Sequence, residues 1–348
     1  MSAEMAKSHF DWITYNEPEG HLDNLVERLR KLPGLHPDAR VVGLTYKDDS
    51  TVQRFNRIGY SNTYRYDAAA DLGLIDPRAG LESIQSVLQP GVTAQLIVKH
   101  GLADLLLVRH VLEHAHRPIT FLQALRALVK PDGYLLFEMP ESTKFVKACD
   151  YSFVWEEHIT YLSPNTLHSL LLEADFAIEE TIQYPYPLED SLIGIVKNAR
   201  AKPAAGNRPE RSEALTAEGD YFSSEFFQVR ARLQALFRSW RGQGKRIALF
   251  GAGHLAAKFV NLYSLTEYFE CVIDDNPNKQ KMLMPGSRLS ICGSGELAAR
   301  SIDVCLLSLN PESEQKVLAK NQPFIERGGR FLSIFALSPM SVYAAGVK

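Results

Sequence analysis

Apolar runs of strand length alternate with helix-patterned segments along most of this chain, and that alternation constrains the fold more than any other feature. RVVGLTY (Arg40 to Tyr46) and DLLLVRH (Asp104 to His110) are apolar and strand-length. FLQALRALV carries its apolar residues at helical spacing, PDG makes a turn, and YLLFEMP is a further strand. Strands separated by helices need crossover connections, which implies a parallel sheet with helices on both faces. HLDNLVERLRKL reads as a polar helix ahead of the first strand. SPNTLHSLLLEADF reads as a helix with Ser163 as N-cap and Pro164 at its first position.

The pattern breaks at NARAKPAAGNRPERSEA (Asn198 to Ala214), rich in Ala, Pro and charge with almost nothing to bury, which marks a linker. DYFSSEFFQVRARLQALFRSW follows as a long amphipathic helix, whose apolar face suits either core or a homodimer seam. From Lys245 the alternation resumes: RIALFGAGHLAAKFVNLY is strand, glycine turn and helix, ECVIDDNPNKQ and DVCLLSLNP are strand then turn, and RFLSIF is a last strand. A chain of 348 residues exceeds one ordinary core. The expected fold class is therefore α/β with two Rossmann-like domains: residues 1–199, a linker and long helix over 200–242, and 243–348.

A formal net charge of −3 leaves no basic footprint for nucleic acid. No apolar run approaches the ~20 residues that cross a bilayer, and MSAEMAKSHF has no signal-peptide core. Cys149, Cys271, Cys292 and Cys305 form no CxxC pair, so neither a disulfide framework nor a zinc knuckle is expected, and no metal ligand set stands out. A reduced, cytoplasmic compartment follows.

Three motifs carry chemistry. GAGHLA (Gly251 to Ala256) joins a strand to a helix, where backbone N–H groups can hold a phosphate, and Asp274 and Asp275 follow at the distance of a ribose-binding acid. HVLEHAHRP (His110 to Pro118) sits at the carboxyl end of a strand, the edge at which open α/β sheets bind ligands. WEEHITYLSP (Trp155 to Pro164) puts a histidine behind Glu156 and Glu157, just before a helix start. An imidazole beside a carboxylate suits proton abstraction at neutral pH.

DLLLVRHVLEHAHRPITFLQALRALVKPDGYLLFEMP resembles the fourth-to-fifth-strand half of class I S-adenosylmethionine-dependent methyltransferases. WEEHITYLSPNTLHSLLLEADF resembles the aromatic-x-Glu-His segment of the family that C-methylates nucleotide-linked keto-deoxysugars. KRIALFGAGHLAAKF and VIDDNPNKQ resemble that family's C-terminal Rossmann-like domain. The resemblance implies S-adenosylmethionine as cofactor and a nucleotide-sugar-like or other small acceptor. It implies His158 as general base, with Glu157 orienting it or holding a sugar hydroxyl. Gly43, Thr45, Asp48, Asp67, His110 and Glu113 are the corresponding cofactor positions, and Tyr15, Trp155 and Glu138 those for substrate. The turn Thr45 to Ser50 holds no glycine where the family has a glycine-rich one, and no cysteine precedes Cys149 to form the family's N-terminal zinc module. Two other readings remain open: a non-catalytic binding or scaffold protein, and a nicotinamide-dependent oxidoreductase using GAGHLA and Asp274.

Overall fold

The computed structural model describes residues 17–75, 81–155, 157–200 and 213–346. They form two compact units. The first contains 17–143 and 157–200; the second contains 144–155 and 213–346. The chain thus crosses to the second unit after Thr143 and returns inside WEEH, so Trp155 belongs to one unit and His158 to the other.

The first unit holds a six-stranded sheet built from β1 (Val41–Gly43), β2 (Thr63–Arg65), β3 (Ala103–Arg109), β4 (Val129–Pro140), β5 (Phe176–Tyr184) and β6 (Ser191–Arg200). Its order is β2-β1-β3-β4-β6-β5. The pairs β1–β2, β1–β3 and β3–β4 are parallel. The parallel sheet implied by the sequence pattern is there in β1 to β4, and β6 runs antiparallel to both β4 and β5, so the methyltransferase-like sheet is mixed. β6 also extends through Arg200, because the Asn198 side-chain amide donates to the carbonyls of Val129 and Lys130. The expected linker therefore loses its first three residues to a strand, while 201–212 lie outside the described residues.

β3 shows why its sequence is apolar throughout. Leu106 and Val108 enter a core packed under the helices Leu81–Val87, Pro90–His100, Pro118–Ala127 and Pro164–Glu173. Leu105 and Leu107 enter a second core with the helices Leu22–Leu29 and Asp49–Arg57. A strand buried on both faces has no reason to alternate. The PDG turn lies inside β4 as a bulge: Ala103 pairs Val129 but Leu105 pairs Tyr134, with Asp132 at φ 64°. The helix Pro164–Glu173 starts as its sequence implies, the Ser163 hydroxyl accepting from the Thr166 N–H.

The second unit is a five-stranded parallel sheet of β7 (Ile247–Phe250), β8 (Phe269–Ile273), β9 (Ile291–Cys292), β10 (Val304–Leu307) and β11 (Arg330–Ser333). Its order is β11-β10-β7-β8-β9. The long helix Glu213–Gly242 lays Val229, Leu233, Phe237 and Trp240 into this unit's core, the Phe237 ring tilted against those of Tyr268 and Phe269. Its apolar stripe is core.

Candidate active site

In the first sheet β2 lies on one side of β1, and the chain then crosses back to place β3 on the other side, so the strand order reverses there. Such a reversal opens a crevice at the carboxyl ends of the two central strands. Two segments reach it: the turn Leu44 to Ser50 after β1, and His110 to His114 after β3.

The first segment is closed on itself. Gly43 ends β1 without a side chain because Asp48 occupies the space, an added Cβ meeting Asp48 Cβ at 2.8 Å. Asp48 is wholly buried; its Oδ2 accepts from the Thr45 N–H at 2.8 Å and its Oδ1 from the Arg109 N–H at 3.1 Å. The Thr45 hydroxyl accepts from the Lys47 N–H in return, completing a capping box over Tyr46–Asp48. Burial pushes the Asp48 carboxyl up to about 7, against the pull of those backbone donors and of Arg109. Thr45 and Asp48, both expected to meet cofactor, therefore serve the turn's own geometry. Asp67 stands exposed just beyond β2, its Oδ1 accepting from the Ala69 and Ala70 N–H groups.

The second segment carries an unusual density of buried charge. Arg109, 1% exposed, donates from Nε to Glu138, from Nη1 to the Lys47 carbonyl, and from Nη1 to Ser50 Oγ at 3.2 Å. Glu138, expected at substrate, is instead the wholly buried hub of this cluster. It faces Arg109, lies 3.1 Å from His21 Nε2 and 3.5 Å from His110 Nε2, and accepts from Ser191 Oγ at 3.0 Å. Burial would raise its carboxyl, yet Arg109 and the two imidazoles hold it well below the usual range. His110 sits at φ 54°, a left-handed conformation that costs a β-carbon-bearing residue energy and is retained where the surroundings demand it. Burial alone would depress its imidazole, but the carboxylates of Glu17, Glu113 and Glu138 outweigh that and lift it to about 10. The surrounding carboxylates thus favour the charged form of His110, although neither ring nitrogen forms a hydrogen bond of good geometry to a described residue.

Glu113 and His158 meet because backbone clips them together. The Glu113 carbonyl accepts from the Ile159 N–H at 2.8 Å and the Thr160 N–H at 3.0 Å. In the other direction His114 Nδ1 donates to the Glu157 carbonyl at 3.0 Å. The His114 ring then lies edge-on to His158, centroids 4.8 Å apart, and donor atoms of Glu113, His114 and His158 all fall within 4.8 Å of one another. Glu113 is 2% exposed, and neither of its carboxylate oxygens accepts a hydrogen bond from a described residue. Burial raises its carboxyl, but His110, His114 and His158 draw it below its ordinary value, so it is ionised. His114 escaped the sequence reading. The available signal was its place in HVLEH, one residue after a candidate acid at a strand's carboxyl end.

Of the remaining expected residues, Trp155 lies in the second unit. Its ring stacks on His254 at 4.7 Å, and Lys258 Nζ stands 3.6 Å over it while donating to the Val154 carbonyl. Tyr15 and Glu156 lie outside the described residues. In the second unit the turn after β7 is internally satisfied. Asp274 Oδ2 accepts from the Ala252 N–H at 2.9 Å and from Lys279 Nζ at 3.0 Å, and the same ammonium donates to the Ala252 carbonyl.

Residues 66–181 match a methyltransferase domain, and residues 205–336 match a C-methyltransferase C-terminal domain. The first match begins after β1 and its turn. C-methyltransferase NovU of Streptomyces niveus is 25% identical over 321 residues, spanning 90% of this chain and 76% of that protein. Two solved structures are similar over 53% of this chain at 16% identity. One is 1,6-didemethyltoxoflavin-N1-methyltransferase of Burkholderia thailandensis with bound S-adenosylhomocysteine (80% of that chain, TM-score 0.35). The other is magnesium protoporphyrin IX methyltransferase of Synechocystis PCC 6803, also with S-adenosylhomocysteine (90% of that chain, TM-score 0.37). The chain thus joins a methyltransferase domain to a C-methyltransferase C-terminal domain and is a distant homologue of the C-methyltransferase NovU.

Proposed function

We propose that this protein methylates a carbon of a small, nucleotide-sugar-like acceptor, with His158 as the general base. The observation that carries this reading is the meeting of His158, His114 and Glu113 beside the carboxyl end of β3. His158 is half-buried, open enough to touch an acceptor and close enough to Glu113 to have its imidazolium stabilised once formed. In this reading it removes the proton from a carbon next to a ketone, and Glu157 steadies the segment through its carbonyl on His114.

S-adenosylmethionine would supply the methyl group. Asp67, exposed beyond β2, suits the cofactor's ribose, and the strand ends at Gly43 and His110 frame the crevice. The methionine end fits poorly as the residues stand. Asp48 fills the place above Gly43, and the Arg109 guanidinium lies across the turn between Lys47, Ser50 and Glu138. The Arg109 side chain has to swing away before that end can enter.

That same arginine supports a second reading, a binding protein that keeps the acceptor edge without turnover. Calorimetric titration with S-adenosylhomocysteine separates the two. Saturable binding favours catalysis, and no binding up to millimolar concentration favours the binding protein. Given binding, His158→Ala should keep melting temperature and cofactor affinity near wild type while lowering turnover on the order of 10²–10⁴-fold, the usual cost of a lost general base. Normal turnover in that variant would place the base elsewhere.

A further inference from the structure

We propose that Glu113, His114 and His158 form a binding site for a divalent first-row transition metal ion. The donor set is two imidazoles and one carboxylate, the combination that suits zinc, iron(II) or cobalt(II) and leaves further coordination positions open for water or a substrate oxygen. The donor atoms of the three side chains already lie within 4.8 Å of one another. Bonds of about 2.1 Å to one ion need donors ~3–4 Å apart, a closure that a modest inward shift of the half-buried His158 provides.

Glu113 is the second, independent observation. A buried carboxylate ordinarily takes hydrogen bonds, is paired, or binds a metal. At 2% exposure Glu113 has no hydrogen bond to either oxygen from a described residue, and its facing cation, His110 Nδ1, stands off at 3.6 Å. An ion between Glu113 and the two imidazoles would satisfy it directly.

The surroundings are those of ligands held in place. His114 donates its Nδ1–H to the Glu157 carbonyl at 3.0 Å. That bond fixes the tautomer and leaves Nε2 as the lone-pair donor, the arrangement by which metal-binding histidines are oriented. The two backbone bonds from Ile159 and Thr160 to the Glu113 carbonyl hold the segment bearing His158 against the segment bearing the other two ligands. Finally, His110 Nδ1 stands 3.6 Å from the Glu113 carboxylate, close enough to help orient a ligating oxygen.

The site shares all three residues with the methyl-transfer reading, and a metal holding the His158 lone pair prevents that imidazole from taking a proton, so metal binding and general-base action at His158 exclude each other. The test is equilibrium dialysis of the metal-stripped full chain with zinc, and optical titration with cobalt(II), on wild type, Glu113→Gln and His114→Ala. Far-ultraviolet circular dichroism and melting confirm that each variant is folded. The expected result is one cobalt(II) per chain with a visible spectrum of nitrogen and oxygen ligands and no thiolate charge-transfer band. Affinity should fall by at least ~10-fold in each variant, as for loss of a partner in a metal site. Absence of stoichiometric binding in wild type overturns the proposal, as does a spectrum showing cysteine ligation or affinity unchanged in both folded variants. Should His114→Ala fail to fold, the near-isosteric Glu113→Gln decides alone.

Discussion

The two sheets share a layout and differ in what their crevices contain. In the second, β7 lies between β8 and β10, and the turn after it carries glycines and a following acid. There every group is accounted for locally: Asp274 caps the Ala252 N–H, Lys279 neutralises Asp274, and Gly251 at φ 100° makes way for Ser308 and Leu309. In the first, β1 lies between β2 and β3, and the crevice holds Arg109, His110, Glu113, His114 and Glu138, all buried. Both ring nitrogens of His110 and both oxygens of Glu113 lack hydrogen bonds to the described residues. Equivalent topology gives equivalent crevices. Which one is built for a ligand shows in buried polar atoms left without partners, because such atoms are costly unless something else meets them.

The largest expected effect sharpens that contrast. Glu138→Ala should destabilise the protein by about 3–5 kcal/mol in urea unfolding, since it strands Arg109 and His110 as buried cations without their shared anion. A loss below about 1 kcal/mol would mean that the first crevice is as loosely coupled as a surface pair, and the contrast would break. Gly251→Ala comes next. Its new Cβ would lie 2.6 Å from Leu309 Cδ2 and 2.9 Å from Ser308 Oγ at an unfavourable φ, for a cost of about 1–3 kcal/mol. If NAD binds saturably to wild type and this substitution abolishes it without unfolding, the glycine serves a ligand and the second crevice is not self-satisfied.

A third effect is a pH slope. The His110 imidazole is raised from 6.5 to about 10 in the folded protein. Its contribution to stability is therefore complete below its unfolded value and is lost as pH climbs through its folded value. Melting temperature should fall between neutral pH and pH 10 in wild type, and fall less in His110→Gln. Equal slopes would place the cation elsewhere in the cluster. The smallest stability change expected is Asp274→Asn, which keeps an acceptor for Ala252 and loses the charge pairing with Lys279, a buried ammonium still held by the Ala252 carbonyl. Its cost should be about 1–2 kcal/mol in the same unfolding assay.

Features governed by neighbours in sequence were legible without a structure. Ser163 and Pro164 announce a helix because a cap needs only the next turn's N–H groups, and the structure starts that helix where they stand. DLLLVRH announces a buried strand, and HVLEH its carboxyl end, because apolar runs and strand termini are local facts. FAIEETIQY and SLIGIVKNAR were harder to read as strands. They pair antiparallel with each other, and only β6 pairs with β4, joining residues more than fifty positions apart.

The candidate site divides the same way. The sequence alone determined that carboxylates and imidazoles gather at the carboxyl ends of strands in a methyltransferase-like α/β chain, and that the turn after β1 contains no glycine. Only the tertiary structure decided that Asp48 folds back to cap its own turn and that Arg109 lies across the crevice. It also assigned Trp155 to the second unit and set His114 against His158, forty-four positions further along. The physical reason is one of range. Caps and strand termini depend on a few adjacent residues, whereas a buried ion pair or two facing imidazoles depend on where packing delivers side chains that the sequence keeps far apart.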